Sequence, residues 1–282
     1  MSTTIQQALS AARQQLAQQH DSASLDAELL LAHVLHKSRA WLYTWPEQKL
    51  DAKQLEPFNQ LVQRRANGEP VAHLIGQQAF WSLSLLVTAD TLIPRPETEL
   101  LVEKALERIS PDSNRQIADL GTGSGAIALA LARERPACRI IATDQSMAAL
   151  QVAKENARLN RIENVEFRHG DWLAALENGS LFDMIVSNPP YIRNDDPHLQ
   201  RGDVRFEPAS ALQAGAEGLD DLQRIIEEAL SRLKPGGWLL LEHGYDQKDT
   251  VMRLLQQAGY EHINDYTDLA GQPRVAEGAK PV

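Results

Sequence analysis

The fold is decided by the stretch Gln116-Ile117-Ala118-Asp119-Leu120-Gly121-Thr122-Gly123-Ser124-Gly125. It joins a short apolar run, an acidic residue and a turn with three glycines, and an alanine- and leucine-rich run follows at 126–135. The first run predicts a buried strand and the second a helix. Glycines permit a tight turn and let a ligand approach the backbone closely. This order of elements indicates an α/β protein with a ligand at the turn.

The chain around this stretch alternates between helical and strand patterns. The pattern predicts helices over 97–108, 125–135, 146–159, 219–233 and 246–258, and strands over 116–120, 139–143, 165–169, 182–187, 238–242 and once or twice beyond 258. Such alternation predicts a mostly parallel sheet with helices on both faces. Ligands of these sheets bind at the carboxyl ends of the strands, where the strand order reverses.

The region before residue 94 has a different character. Apolar residues recur at helical spacing at Ile5, Leu9, Ala12 and Leu16, and again at Leu25, Leu29, Ala32 and Leu35. Ser24, or alternatively Ser22, reads as the cap of the second helix, and a third helix is predicted over 56–65. We therefore predict a small helical bundle over 1–70 that binds or positions a partner. Alternating and aromatic residues at 76–88 predict a β-hairpin within a linker over 71–93, and the main domain spans 94–282.

Composition excludes several classes of protein. The chain has 28 Lys and Arg against 38 Asp and Glu, a formal charge of −10, which disfavours a protein that binds nucleic acid directly. Its single cysteine, Cys138, leaves no disulfide within the chain and no Cys-rich zinc site. Residues 1–19 lack the apolar core of a signal peptide, and no apolar run is long enough to span a membrane. We expect a monomer in the cytoplasm, with no metal.

The glycine turn predicts the cofactor. Its Gly-x-Gly-x-Gly spacing, at Gly121, Gly123 and Gly125 with Thr122 and Ser124 between them, departs from the Gly-x-Gly-x-x-Gly of dinucleotide sites. Asp119 leads into the turn and would repel a pyrophosphate, but it suits a cationic sulfonium or ammonium group. The turn therefore favours S-adenosylmethionine (AdoMet). The alternative is a turn that merely needs positive φ angles.

Two further strand ends complete the predicted cofactor site. Asp144 lies about twenty residues beyond the turn, where a carboxylate accepts hydrogen bonds from ribose hydroxyls. Its alternative role is to cap the helix that starts near Ser146. After the next strand, Asp171 is expected to accept from an adenine amino group and Trp172 to cover the ring, although a tryptophan is more often part of a core.

The predicted reacting site is Asn188-Pro189-Pro190-Tyr191, at the end of strand 182–187. Two prolines donate no backbone hydrogen bond and hold the chain extended. The Asn188 side-chain oxygen and the Pro189 carbonyl can then accept both hydrogens of an NH2 group on a planar conjugated carbon, and stabilise positive charge on its nitrogen. Tyr191 is expected to offer its backbone N–H and an aromatic wall. Asn188 also counts among the residues beside the cofactor, and the motif contains no base.

These motifs together resemble the HemK-type release-factor glutamine methyltransferases. The resemblance rests on the segment 93–100, the glycine turn, Asp144, the segment 170–172, Asn188 to Tyr191 and the segment 241–244. It implies an α/β fold: a Rossmann-like class I AdoMet-dependent methyltransferase domain, preceded by a helical domain and a hairpin linker. It also implies that Asn188, Pro189, Pro190 and Tyr191 bind the glutamine of the Gly-Gly-Gln motif in class I peptide chain release factors.

The segment Pro94-Arg95-Pro96-Glu97-Thr98-Glu99 favours release factors over ribosomal proteins, because the related ribosomal-protein glutamine methyltransferases typically differ there. The alternative is that this segment is only a well-capped helix start and makes no direct contact with a substrate. An adenine-N6 DNA methyltransferase and a non-catalytic AdoMet-binding scaffold are competing hypotheses for the chain as a whole. The chain departs from the family after Gly278, where Ala279 to Val282 replace the usual arginine, and this predicts a weaker terminal strand.

Overall fold

The computed structural model describes residues 3–18, 21–200 and 202–282. Backbone contacts group the chain into two compact units. One consists of Met1–Gln77 together with His198–Phe206, and the other of Gln78–Pro197 together with Glu207–Val282. Four residues of the predicted 1–70 domain, at positions 1, 2, 19 and 20, and one of the predicted 94–282 domain, at position 201, lie outside the described part.

The first unit is helical, as the apolar spacing predicted. Its helices are α1 (Ile5–Leu16), α2 (Ala23–Leu35), α3 (Arg39–Thr44), α4 (Ala52–Ala66) and α5 (Val71–Ile75). Capping boxes start α1 at Thr4 and α4 at Asp51, where each side chain accepts from the backbone three residues on. Helix α4 therefore begins earlier than the predicted 56–65. The short α3 and α5 were not predicted.

The predicted apolar stripe of α2 was partly right: Ala32 is buried and Leu35 packs against the core, but Leu25 does not. Leu25 is 41% exposed, whereas the buried face carries Ala23, Ala27, Leu30 and Leu31. The cap position is Ser22, not Ser24. Two acidic residues of α2, Asp26 and Glu28, are buried as well, and each pairs with an arginine.

The segment His198–Phe206 is held within the helical unit by arginines. Arg65 donates to Asp26 at 2.7 Å and to Asp203 at 2.6 Å. Arg205 donates to the backbone carbonyl of Asn67 at 2.7 Å. Because Asp26 is buried, losing Arg65 would leave an unpaired carboxylate in the interior.

The predicted hairpin consists of strands β1 (Gln77–Phe80) and β2 (Leu83–Leu86), which belong to the second unit apart from Gln77. The main sheet of this unit contains β3 (Gln116–Leu120), β4 (Arg139–Asp144), β5 (Val165–His169), β6 (Phe182–Ser187), β7 (Leu233–Glu242), β8 (Glu261–Thr267) and β9 (Pro273–Ala279), in the order β5-β4-β3-β6-β7-β9-β8. Only β9 among the described strands of this sheet pairs antiparallel with its neighbours on both sides. The mostly parallel sheet is thus confirmed.

Helices cover both faces of the sheet. They are α6 (Glu99–Glu107), α7 (Ala126–Glu134), α8 (Met147–Asn160), α9 (Asp220–Arg232) and α10 (Lys248–Ala258). A 3-10 turn, Pro96–Thr98, precedes α6, and β7 begins at Leu233 instead of 238. The terminal β9 pairs on both sides despite its unusual end. None of the described helices is both long and apolar enough to cross a membrane.

The register of the sheet gathers the motifs at one edge. Leu120 pairs with Thr143 on one side and with Ser187 on the other, and Ser187 pairs in turn with Leu241. The strand order reverses between β3 and β6, because β3 is followed in sequence by β4 on its other side. The glycine turn and the Asn-Pro-Pro-Tyr segment therefore leave adjacent strands at the point where such sheets bind ligands.

Candidate functional site

A pocket opens at this edge of the second unit. Most of the residues predicted from sequence line it: Gly121, Thr122, Gly123, Ser124, Asp144, Asp171, Trp172, Asn188 and Pro190. Four others, Asp119, Gly125, Pro189 and Tyr191, are not among the lining residues. The fold thus brings the two predicted halves of the site together, with Asp119 and Tyr191 behind the wall.

The glycine turn needs its glycines for two different reasons. Gly121, Gly123 and Gly125 all have positive φ, at 71°, 55° and 86°. A Cβ on Gly121 would also lie 2.7 Å from the Trp172 ring, whereas a Cβ on Gly123 would meet nothing within 4 Å. Gly123 therefore borders open space at the pocket, while Gly121 lets the tryptophan pack against the turn.

Asn156 fixes the position of the turn from behind. This fully buried side chain donates to the Ser124 carbonyl at 2.9 Å and to the Leu86 carbonyl at 3.0 Å. Its oxygen accepts from the Leu86 backbone N–H at 2.6 Å. The amide thus ties the turn to β2. Sequence reasoning missed Asn156, because an asparagine inside a helix carries no local sign of such contacts.

Asp119 supports the turn and is cut off from solvent. One carboxylate oxygen accepts from the Thr122 hydroxyl at 2.6 Å and from the Ala128 backbone N–H at 3.2 Å. The other oxygen, Oδ1, has no hydrogen-bond partner. Burial raises the pKa of Asp119 to about 7 against these two hydrogen bonds. A cation bound nearby would favour the ionised form.

Asp144 is anchored by the backbone. Its oxygens accept from the Gly123 N–H at 2.9 Å and the Ser146 N–H at 2.8 Å. Burial raises the pKa of Asp144, and these two N–H groups oppose the shift. The cap of α8 is Ser146, whose side chain accepts from Ala149. Since each carboxylate oxygen has a second lone pair, Asp144 keeps capacity to accept hydroxyls in the pocket.

The pair Asp171 and Trp172 has structural contacts of its own. Asp171 accepts from the Arg224 guanidinium at 2.7 Å. The Trp172 indole N–H donates to Asp221 at 3.2 Å, and its ring belongs to the apolar core under the sheet. Trp172 is therefore both a core residue and a pocket wall. The predicted contact of Asp171 with an adenine amino group stays a prediction.

The Asn-Pro-Pro-Tyr segment is held at both ends. The Asn188 amide nitrogen Nδ2 donates to the Thr98 hydroxyl at 3.2 Å, which turns the side-chain oxygen Oδ1 away from Thr98. The Tyr191 hydroxyl donates to Glu242 at 3.1 Å. The backbone carbonyl of Tyr191 accepts from the Gln247 side chain at 3.0 Å. The Tyr191 ring packs against the core below the sheet, and the structure does not bring it to the pocket wall as predicted.

Two loops form the outer wall of the pocket. Ala89 to Arg95 contributes one side, and Pro208, Ser210 and Ala211 the other. The buried carboxylate of Glu207 joins them, because it accepts from the Ile93 backbone N–H at 2.9 Å and pairs with Arg95. Sequence reasoning missed Glu207, since its partners lie more than a hundred residues away.

The described part of the chain holds no group of His, Cys, Asp or Glu arranged to bind a metal. The pocket itself offers fixed hydrogen-bond acceptors, and its acidic groups suit a cation. The sheet order, the glycine turn and the neighbouring Asn-Pro-Pro-Tyr end together define a class I methyltransferase.

Comparison with known proteins narrows this class. Residues 7–76 match the model of the PrmC N-terminal domain, and residues 96–259 match that of the methyltransferase small domain. The chain is 52% identical to a release factor glutamine methyltransferase of Xylella fastidiosa, covering 91% of this chain and 93% of the relative. It is 51% identical to one of Coxiella burnetii, over 96% and 97% of the two chains.

A solved structure shares the fold. A methyltransferase of Pyrococcus furiosus superposes with a TM-score of 0.55 at 20% identity, covering 78% of this chain and 98% of the other. The identities and coverage of the curated relatives settle the family: this chain belongs to the release factor glutamine methyltransferases, and it is an enzyme.

Proposed function

We propose that the enzyme transfers a methyl group from AdoMet to the side-chain amide nitrogen of the glutamine in the Gly-Gly-Gln motif of class I peptide chain release factors. The observation that carries the proposal is the orientation of Asn188. Its nitrogen is bound to Thr98, so its oxygen is the end left to accept from an NH2 group at the pocket. A carboxamide supplies such a group on a planar conjugated carbon.

The pocket fits AdoMet by charge and by hydrogen bonding. The turn from Gly121 to Gly125 would receive the amino-acid part and the sulfonium, with the unpartnered Asp119 oxygen favouring positive charge behind it. Asp144 would accept from the ribose hydroxyls, and Trp172 with Asp171 would border the adenine. When bound, AdoMet supplies an electrophilic methyl group, and S-adenosyl-L-homocysteine is the product.

The chain's own groups act by positioning. Asn188 Oδ1 and the Pro189 carbonyl each accept one hydrogen of the substrate amide, which fixes the plane of a nitrogen whose lone pair is normally delocalised. Both acceptors also stabilise the positive charge that grows on this nitrogen during transfer. A strong base is unnecessary, because an N-alkylated amide cation is acidic and loses its proton to water. Most of the rate gain then comes from orientation and charge.

The remaining proposals concern the roles of the two units, the partners of the enzyme and its location. We assign recognition of the release factor to the helical unit, and the hairpin is its linker to the methyltransferase domain. The formal charge of −10 disfavours direct contact with nucleic acid. We further propose that the enzyme works as a monomer in the cytoplasm.

A transfer assay tests the substrate. The enzyme is incubated with AdoMet labelled in its methyl group and, in separate reactions, a release factor, its Gln→Ala variant, ribosomal proteins and duplex DNA. We expect label only in the release factor that keeps the glutamine. Equal label in the Gln→Ala variant would disprove the site. Label in ribosomal proteins or DNA alone would support the corresponding competing substrate.

A further inference from the structure

We propose that Gln247 is a positioning residue, which holds the Asn-Pro-Pro-Tyr segment in the geometry that methyl transfer needs. This inference rests on the proposed function, because it concerns the segment that is proposed to bind the substrate amide. Gln247 lies between β7 and α10 and is not among the residues that line the pocket. Its role therefore depends on the backbone groups that its side chain contacts.

Three backbone groups from three different loops meet at the Gln247 side chain. Its nitrogen, Nε2, donates to the Tyr191 carbonyl at 3.0 Å and to the Gly218 carbonyl at 3.0 Å. Its oxygen, Oε1, accepts from the Gly244 backbone N–H at 2.8 Å. Gln247 is buried, so water competes little for these contacts. Both hydrogens of the amide are thus used, one on each carbonyl.

The chemistry of these partners fixes the orientation of the amide. A backbone carbonyl only accepts a hydrogen bond, and a backbone N–H only donates one. The nitrogen of Gln247 must therefore face Tyr191 and Gly218, and its oxygen must face Gly244. A flipped amide would set its oxygen against two carbonyl oxygens and its NH2 against an N–H group. All three contacts would then be lost, so only one orientation joins the three loops.

Gly218 shows how closely these loops approach one another. It has a φ of 72°, and a Cβ at this position would lie 2.4 Å from the Tyr191 carbonyl oxygen and 3.0 Å from Gln247 Nε2. Glycine permits both the positive φ and the close approach. The loop before α9 therefore packs directly against the end of the Asn-Pro-Pro-Tyr segment, at the amide that binds them both.

The peptide that joins Tyr191 to Ile192 is held on both sides. Its carbonyl accepts from Gln247, and its N–H, that of Ile192, donates to the Leu212 carbonyl at 2.8 Å. The N–H of Tyr191 itself has no hydrogen-bond partner in the described part of the chain. This N–H is the group expected to donate to the substrate. Gln247 thus restrains the backbone next to a donor that is left for a ligand.

Loss of the Gln247 contacts would misplace the groups that meet the substrate amide. Two consecutive prolines make the segment stiff, so a shift at Tyr191 is passed back to the Pro189 carbonyl, the second proposed acceptor. A misplacement of about 1 Å can cost about 10²-fold in rate even when the altered residue lies away from the reacting atoms. Gln247 therefore acts on the reaction through Tyr191 and Pro189.

Gln247→Glu and Gln247→Met test the proposal. An ionised glutamate keeps the shape of glutamine but has no hydrogen to donate, and methionine removes the donors without adding charge. We expect both variants to lower kcat with a release factor about tenfold or more, with an unchanged Kd for AdoMet by calorimetry. Gln257→Glu is the matched control, because Gln257 is exposed on α10, and it should keep full activity.

Hydrogen exchange followed by nuclear magnetic resonance separates positioning from a general loss of stability. In Gln247→Glu the Ile192 N–H should exchange about tenfold faster, because the peptide it belongs to has lost one of its two anchors. The N–H of Ala118, in the centre of the sheet, should exchange as in the wild type. Equal acceleration at both positions, or wild-type kcat in both Gln247 variants, would overturn the proposal.

The exchange measurement uses no substrate, so the two proposals fail separately. A wild-type enzyme that leaves release factors unmethylated would refute the proposed substrate. Unchanged exchange at Ile192 in Gln247→Glu would refute the role of Gln247, whichever substrate the enzyme methylates.

Discussion

Asn188 is proposed to act through its side-chain oxygen, because its amide nitrogen donates to Thr98. Replacing it with alanine removes an acceptor without touching the glycine turn. We expect Asn188→Ala to keep its affinity for AdoMet while kcat falls by ~10²-fold or more, as for lost transition-state contacts in general. The measurement is kcat with a release factor, together with AdoMet titration calorimetry.

Asn160→Ala is the matched control for this prediction. Asn160 lies at the end of α8, outside the pocket, and donates to the Ser84 carbonyl. Its loss should leave kcat unchanged. Unaltered turnover in Asn188→Ala itself would remove the residue from the mechanism.

Asp119 makes AdoMet binding depend on pH. Burial raises the pKa of Asp119 from an ordinary 3.8 to about 7, so the folded protein without ligand holds this proton up to near neutrality. The ionised form attracts a cation, and AdoMet affinity should therefore rise as the pH increases through about 7. The stability of the free protein should change in the opposite sense: the contribution of the neutral carboxyl is full below the ordinary pKa and is lost as the pH rises toward 7.

Asp119→Asn is the test of this linkage, because an amide does not titrate in this range. AdoMet titrates too, so the informative quantity is the difference between the two proteins in affinity from pH 6 to pH 8. A parallel pair of affinity curves would contradict the predicted role of Asp119.

The sequence predicted the site residues that belong to short sequence motifs at strand ends. Asp144 ends one strand and Asn188 follows another, and their positions at one sheet edge result from the alternation of elements. Glu207 and Asn156 escaped prediction because their partners are contributed by distant segments, which no local pattern reveals. Thr98 and Glu242 stood within recognised motifs, but their hydrogen bonds with Asn188 and Tyr191, respectively, needed coordinates.

At the scale of the elements, the glycine turn depends on Trp172. Gly121→Ala would place a Cβ 2.7 Å from the Trp172 ring, in addition to straining a residue with positive φ. We expect a fall in Tm and weaker AdoMet binding. Gly123→Ala is the matched control, with the same backbone strain of roughly 1–2 kcal/mol but no atom within 4 Å of its Cβ. The prediction fails if the two variants unfold at the same temperature.

The bounds of the strands were predicted better than the buried faces and the short helices. The strands β3, β5 and β6 match their predicted ranges, because apolar runs bounded by charge and glycine leave little choice. Helix α2 was placed correctly, but its buried residues were only partly predicted, since they include two acids that pair with arginines of other helices. The short α3 and α5 complete too few turns to show a period.

At the scale of the whole molecule, the two units are proposed to divide recognition from chemistry. Deleting residues 1–70 should raise KM for an intact release factor more than it changes the Kd for AdoMet. A short glutamine peptide, too small to need a second binding surface, serves as the control substrate and should be methylated with a similar KM. AdoMet binding also reports whether the second unit remains folded without Arg65, the partner of Asp203. Normal kinetics with the intact release factor would show that the helical unit plays no part in recognition.

The grouping of His198–Phe206 with the helical unit was beyond sequence analysis. This segment follows the Asn-Pro-Pro-Tyr end by a few residues and has no periodic pattern, and its place is fixed by Arg65 and Arg205. The alternation of strands and helices predicted the architecture of the second unit. Contacts between residues that are far apart in the sequence fix the position of His198–Phe206 instead.

The position of the added methyl group tests the proposed reaction most directly. A release factor treated with enzyme and AdoMet is digested, and the peptide that contains Gly-Gly-Gln is sequenced by tandem mass spectrometry. We predict one added methyl group on the side-chain nitrogen of that glutamine, and none when Asn188→Ala enzyme is used under the same conditions. A methyl group found on another residue, or an unmodified glutamine after full turnover of AdoMet, would contradict the proposed reaction.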